Sequence, residues 1–239
     1  ARTADAPQPA RRVPVLVLPV TAEEAAATLT VRGRTAAARR VRVEAETTGR
    51  VVSAPRRRGG AVRGGDVLCR LDPGSRPAQL AEAQARLAEA EAEANAAESL
   101  SAKGFTAETT RCARPAALQA AQAAVDLVRL DIARLTIRAP FAGVLETDTA
   151  ELGARLGMGD LCAEVVDLSH LRASGFVGEQ VVDSIALGQH AAIRLVNGRR
   201  ADGEITFIAS VADPDTRTYE VEVTIPNPEG RLRAGMTAE

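Results

Sequence analysis

Lys103 is the only lysine among the 30 basic residues of this 239-residue chain, the others all being arginine. A lysine that carries a covalent acyl group must stand on an exposed turn between strands. Lys103 stands in Lys103-Gly104-Phe105-Thr106, between two stretches of helical periodicity, so swinging-arm chemistry has no residue to use. The three cysteines, Cys69, Cys112 and Cys162, form no Cys-x-x-Cys and have no histidine pair nearby, which argues against zinc. A Cys69 to Cys162 bridge is conceivable because both follow a Gly-Asp step. They are offset by one residue, however, and in β structure that offset points them to opposite faces. Buried or half-buried free thiols are the preferred reading. His170, placed on a loop, and His190, at a strand edge, have no acid, base or nucleophile motif around them. No catalytic residue, cofactor or metal site is assigned, and no enzyme activity is expected.

The residues that do repeat are glycines and aspartates. Gly49 is followed by Gly65-Asp66, and Gly143 by Gly159-Asp160, at the same glycine-to-glycine spacing. Asp in such turns holds them through backbone N–H groups, which is preferred here over an acid-base pair. The repeat predicts a small β unit split into two similar halves, 39–72 and 136–168.

Between the halves lies a helical insertion, 73–135. Leu80, Ala83, Leu87, Ala90, Ala94 and Ala97 recur at steps of three and four, and after the Lys103 turn so do Leu118, Ala121, Val125, Val128, Ile132 and Leu135. Small residues on one helix facing branched knobs on the other predict an antiparallel two-helix coiled coil. Pro115 predicts a kink or a late start of the second helix. Leu127 and Leu130 lie off the seam, available to a neighbouring copy or to the β unit.

Residues 28–38 read as one strand, the first of a β-barrel, with Val41 to Glu46 as another. Segments Leu171 to Val177, Ala191 to Val196, Glu204 to Val211 and Tyr219 to Ile225 complete an antiparallel barrel over 169–239, with one short helix in Glu179 to Ile185. Residues 1–27 read as an N-terminal arm, with Val13 to Val20 an edge strand or an extended arm. The fold class is therefore α+β: several domains in an elongated chain, a β-sandwich split by a helical hairpin, plus a barrel. The chain starts at Ala1 and opens on Pro- and Ala-rich sequence, so a trimmed product is expected, with any signal or anchor upstream. No apolar run is long enough to span a membrane. Thirty-one acidic residues balance the basic ones and aromatics make up 2 %, which removes the usual support for nucleic-acid binding. Arg56-Arg57-Arg58 beside Gly59-Gly60 reads as a solvated turn rather than an anion site.

The order of half-motif, helical hairpin, Ile137-Arg138-Ala139-Pro140-Phe141-Ala142-Gly143, and a barrel ending in Asp213-Pro214-Asp215-Thr216-Arg217-Thr218 and Leu232-Arg233-Ala234-Gly235-Met236 resembles the periplasmic adaptors, or membrane fusion proteins. It is most similar to those serving resistance-nodulation-division (RND) efflux transporters, within the HlyD-like superfamily. The resemblance covers about Thr28 to the end. It implies a periplasmic subunit held at the inner membrane by an N-terminal anchor, which bridges a transporter to an outer-membrane channel as a ring of adaptors, often six. It also implies a lipoyl-like domain built from the two half-motifs, and a membrane-proximal domain mostly missing from this chain. In the family the hairpin tip touches the channel through an Arg, a Leu and a Ser. On this chain the Leu matches Leu100, while Ala96 and Ala107 stand at the other two positions. Leu100, Lys103, Gly104, Phe105 and Thr106 are the candidate channel contacts. Met158 and Met236, the only methionines, stand far apart, so organic cargo is favoured over metal. The competing readings are an adaptor for an ABC-type or type I exporter and a self-assembling coiled-coil scaffold. The scaffold explains the hairpin but not the β halves around it.

Overall fold

The computed structural model describes residues 16–20, 28–102 and 108–239, with side chains outside 101–113. The chain divides between Thr30 and Val31 into two units. In the first, residues 16–20 form no strand and their large apolar side chains are exposed. The edge strand expected there is absent among the described residues, and Pro19 has no N–H to give a ladder. Residues 13–15 lie outside the described residues.

The second unit opens with β1 (Gly33–Glu44), where two separate strands were expected. Ala36-Ala37-Ala38 is helix-prone sequence, yet it stays extended because a partner strand pairs along nearly its whole length; tertiary pairing overrides local propensity. Then follow β2 (Gly49–Arg50), β3 (Ala61–Val62) and β4 (Val67–Arg70). The hairpin is α1 (Arg76–Ala102) and α2 (Glu108–Ala133). After it come β5 (Thr136–Arg138), β6 (Gly143–Leu145), β7 (Arg155–Leu156) and β8 (Leu161–Gly178), the long partner of β1. The chain continues through β9 (His190–Arg194), β10 (Arg200–Ile208), β11 (Thr218–Pro226) and β12 (Thr237–Ala238). The short helix expected in Glu179 to Ile185 is a single 3-10 turn, Val182–Ser184.

Two β bodies share β1 and β8. In the barrel the strand order is β12-β1-β8-β11-β10-β9, all neighbours antiparallel. The ring closes where Arg194 N–H donates to the Glu239 carbonyl and Glu239 N–H donates back at 2.9 Å, leaving no open edge there. Its interior holds Leu171, Ile193, Leu195 and Ile225 near one end and Val177, Ile205 and Val221 near the other. The split β unit has its own core, with Val51, Leu68, Leu71, Leu135, Ile137, Leu145 and Val165 buried together.

α1 starts where Asp72 accepts a hydrogen bond from Gly74 N–H at 3.0 Å and Ser75 stands just before the first helical residue. Pro77 falls in the first turn, where its missing N–H is harmless. α2 does not start late at Pro115: it runs from Glu108 with Pro115 inside it. One intrahelical bond is lost there, and packing along α1 carries the helix through.

Candidate functional site

The repeated turns are built alike, and each is completed by the other half. Gly65 and Gly159 have φ of 87° and 86°, a left-handed conformation that favours glycine. Asp66 carboxylate accepts Arg63 N–H at 3.1 Å, and Asp160 accepts Gly157 N–H at 2.7 Å. Gly65 N–H donates to Ala139 carbonyl while Ala139 N–H donates to Asp66 carbonyl. In the mirror arrangement, Gly159 N–H donates to Ala45 carbonyl and Ala45 N–H to Asp160 carbonyl. The pairing continues along the strands. Gly49 stands opposite Leu156, and Gly143 opposite Val62. A side chain at Gly49 would meet Leu71, and one at Gly143 would meet Val165 and Val166. The split unit is thus an intertwined pair of halves related by a local pseudo-twofold, neither of which closes on itself. The Arg63 N–H and Arg56 hold the Asp66 carboxyl below its ordinary pKa.

Cys69 and Cys162 form a disulfide, contrary to the preferred reading as free thiols. The offset argument assumed unbroken alternation of faces, and both strands break it. In β4 the register passes from Val67↔Arg138 to Cys69↔Ile137, and in β8 from Ala163↔Val43 to Leu161↔Glu44. Each is a bulge that inserts one residue and resets the parity. Consequently Leu68 and Cys69 are both buried, as are Cys162 and Ala163. The bridge joins the two halves across the insertion, its ends separated by 93 in sequence.

In the hairpin the expected seam faces inward. Leu80, Leu87, Leu118 and Val128 are half-buried, and Val125 is fully buried opposite small α1 residues of which Ala83 is the most enclosed. Two seam assignments change. Leu135 lies beyond the end of α2 and belongs to the core of the split unit, and Ile132 packs against that same core, because the three-and-four rhythm runs on past the helix into β5. Leu127 and Leu130 are exposed. The foot of the hairpin is tied by a polar cluster that periodicity does not show. Arg76 Nε donates to Asp131 Oδ2 at 2.5 Å, Thr47 hydroxyl donates to Asp131 Oδ1 at 2.8 Å, and Arg76 Nη2 donates to Thr47 Oγ1 at 2.8 Å. Hydrogen bonds from Arg76 and Thr47 hold the Asp131 carboxyl below its ordinary range.

Of the tip residues, Leu100 lies in α1 and is half exposed. Lys103, Gly104, Phe105 and Thr106 lie outside the described residues. Below the tip, Arg114 of α2 pairs with Glu93 of α1 across the hairpin.

His170 lies in β8 rather than on a loop, its Nδ1 3.0 Å from Ser169 Oγ, and His190 begins β9 beside Asp202. The arginine run is ion-paired: Arg57 with Asp148 and Glu151, and Arg56 with Asp66. Among the described residues no cluster of metal-ligating side chains is present.

Where the split unit meets the barrel, Asp167 is 4 % exposed and pairs with Arg39 at 2.8 Å. Burial pushes its carboxyl up, but the Ser169 hydroxyl, the Arg39 guanidinium and the Ser169 N–H outweigh burial and hold its pKa at about 2, against an ordinary value of 3.8. A folded-state value below the unfolded one stabilises the fold above the unfolded pKa, and that stabilisation is lost as pH falls through the folded value. Thermal melts of the parent should therefore show the Asp167 contribution fading between about pH 4 and about pH 2. Asp167→Asn should melt lower at neutral pH and decline less over that window. Parallel curves for the two proteins would refute the assignment.

Sequence and structure comparisons give consistent matches. Residues 176–239 match the model of the CusB-like beta-barrel domain family. The chain is 27 % identical over 216 residues to the nodulation protein NolF of Rhizobium meliloti (strain 1021), covering 83 % of this chain and 58 % of NolF. It is 30 % identical over 104 residues to the cation efflux system protein CzcB of Alcaligenes sp. (strain CT14), covering 43 % of this chain and 20 % of CzcB. The chain therefore spans less than two thirds of the length of either relative. Among solved structures, a MacA-MexA chimeric protein containing the Pseudomonas aeruginosa MexA alpha-hairpin domain matches with a TM-score of 0.74 at 24 % identity, over 87 % of this chain and 75 % of that one. That likeness is one of fold.

Proposed function

We propose that this chain, which is similar to periplasmic adaptors of the RND and HlyD-like type, is the adaptor subunit of a tripartite efflux pump. In this reading it links an inner-membrane transporter of RND type to an outer-membrane channel. The observation that carries the reading is the helical hairpin, about 40 Å long at 1.5 Å per residue, rising from a β unit in which the repeated turn of each half is bonded to the other half. Such an object offers reach and a firm base. The histidines stand apart from each other, and the Ser169 hydroxyl beside His170 donates to the structural Asp167, so the chain offers contact surfaces rather than converging reactive groups.

The split β unit serves as the lipoyl-like domain, and copies of it pack side by side into a ring, a hexamer in the simplest case. The barrel faces the transporter, and the tip around Leu100 and Phe105 meets the channel. The adaptor works in the periplasm, held at the inner membrane by a segment N-terminal to this chain. Among the described residues no helix is long and apolar enough to cross a membrane. Small organic molecules are the proposed cargo, because Met158 and Met236 stand far apart and supply no soft-ligand cluster. CzcB carries cation efflux in its name, so cobalt and zinc salts belong in the same assay as organic drugs.

The test is efflux from intact cells. Leu100→Asp combined with Phe105→Asp should abolish resistance while the protein accumulates to parent levels with parent helix content. Unchanged resistance would remove the tip from the channel contact. Copurification from membranes of the full-length protein should bring down an RND-type transporter, and recovery of an ATP-driven exporter instead would reassign the partner.

A further inference from the structure

Only β1 and β8 pass between the split β unit and the barrel, and their pairing is interrupted at the crossing. Ala37 stands opposite Leu171 and Arg39 opposite Asp167, so Ala38 alone faces Leu168, Ser169 and His170. A bulge of that size in a two-strand connection would by itself be a bending point. Here the Leu168 and Ser169 carbonyls and the Ser169 N–H and hydroxyl are taken up from both sides. From the split unit, Arg39 donates to Asp167 Oδ2 through Nε at 3.2 Å and Nη2 at 2.8 Å, and its guanidinium lies 4.4 Å over the Phe141 ring. Asp167 Oδ1 in turn accepts the Ser169 N–H at 3.0 Å and hydroxyl at 2.7 Å.

From the barrel comes Asn227, 4 % exposed, at the end of β11. Its Nδ2 donates to the Leu168 carbonyl at 2.8 Å and to the Leu232 carbonyl at 3.1 Å. Its Oδ1 accepts Leu232 N–H at 2.9 Å, and its own N–H donates to the Ser169 carbonyl at 2.9 Å. Both amide hydrogens and the oxygen of Asn227 are thus engaged, and Asn227 and Asp167 are the buried centre of a network whose outer members, Arg39 and Ser169, reach solvent.

We propose that Arg39, Asp167 and Asn227 form a clasp that sets the angle between the split β unit and the barrel. Arg39 and Asn227 grip the same three-residue bulge from opposite bodies, Arg39 through Asp167. They act as positioning residues: they hold the hairpin-bearing unit at one tilt relative to the barrel. This property belongs to the chain whether or not it serves an efflux pump.

Pulsed electron paramagnetic resonance tests it on the whole chain, in a Cys112→Ser background. One pair of spin labels at Leu152→Cys and Val196→Cys, positions 63 % and 75 % exposed, spans the joint. A second pair at Leu187→Cys and Val196→Cys lies within the barrel. The parent should give one narrow distance distribution across the joint. Arg39→Ala should broaden and shift it while the barrel pair keeps its width. Arg39→Lys, which keeps the charge but loses the two-pronged contact, and Phe141→Leu should broaden it to a lesser degree. These two variants decide the matter if Arg39→Ala does not fold. A parent-like distribution across the joint in the folded variants, or equal broadening of both pairs, would overturn the proposal.

Discussion

Replacing Cys69 and Cys162 together with alanine is expected to lower the unfolding free energy by about 2–4 kcal/mol. The bridge closes a loop whose ends are separated by 93 in sequence, and restricting so long a loop in the unfolded chain is where a cross-link gains most in the chain-entropy account. Both sulfur-bearing residues are at most 1 % exposed, so reductant should reach the bridge only when the split unit opens. Denaturant melts of parent and double variant, each with and without reductant, measure both effects. A double variant as stable as the parent, or a parent rapidly reduced under native conditions, would contradict the assignment. An oxidising compartment such as the periplasm is where a bridge of this kind persists.

Val125→Asp should be of similar or larger effect, about 3 kcal/mol or more on the hairpin. Val125 is 0 % exposed, the one buried side chain among the described residues of α2. The facing helix offers mainly alanines, so few other contacts compensate. Far-ultraviolet circular dichroism during a thermal melt should show helix lost at lower temperature than in the parent. Because the core of the split unit is separate, its disulfide should survive in the variant. Full helix content and an unchanged melt would sink the seam assignment.

The hairpin was the most legible part of the chain, because a heptad rhythm reports burial directly: Leu80, Leu87, Leu118, Val125 and Val128, picked out by spacing, are all buried or half-buried. Leu135 shows the limit of that signal, since spacing cannot tell where a helix hands over to a strand that keeps an apolar residue in phase. The glycine repeat was equally readable, since Gly65 and Gly159 need a left-handed backbone and Gly49 and Gly143 need close approach. What stayed hidden depended on contacts between residues distant in sequence. The cysteine pair was obscured by two bulges that no local pattern marks, and β1 by an alanine run that favours helix. Arg39 with Asp167, and Arg76 with Asp131, carry no local pattern that pairs them; only the strands and helices bring them together. Asn227 is flanked by Pro226 and Pro228, a composition that signals a turn, and nothing local reveals that its side chain is buried.

The reciprocal bonds of the split unit set a timetable for its making. The Gly65 turn needs Ala139, and the Ala45 edge needs Gly159, so the first half leaves the ribosome with its partners still untranslated. At a synthesis rate of about 5–20 residues per second, the wait from Cys69 to Cys162 is about 5–20 s. During that wait the helices α1 and α2 can already pair with one another, since their contacts are local. The contacts between the two helices are thus available before the second half of the β unit is made, and the hairpin is placed to carry that half back to the first.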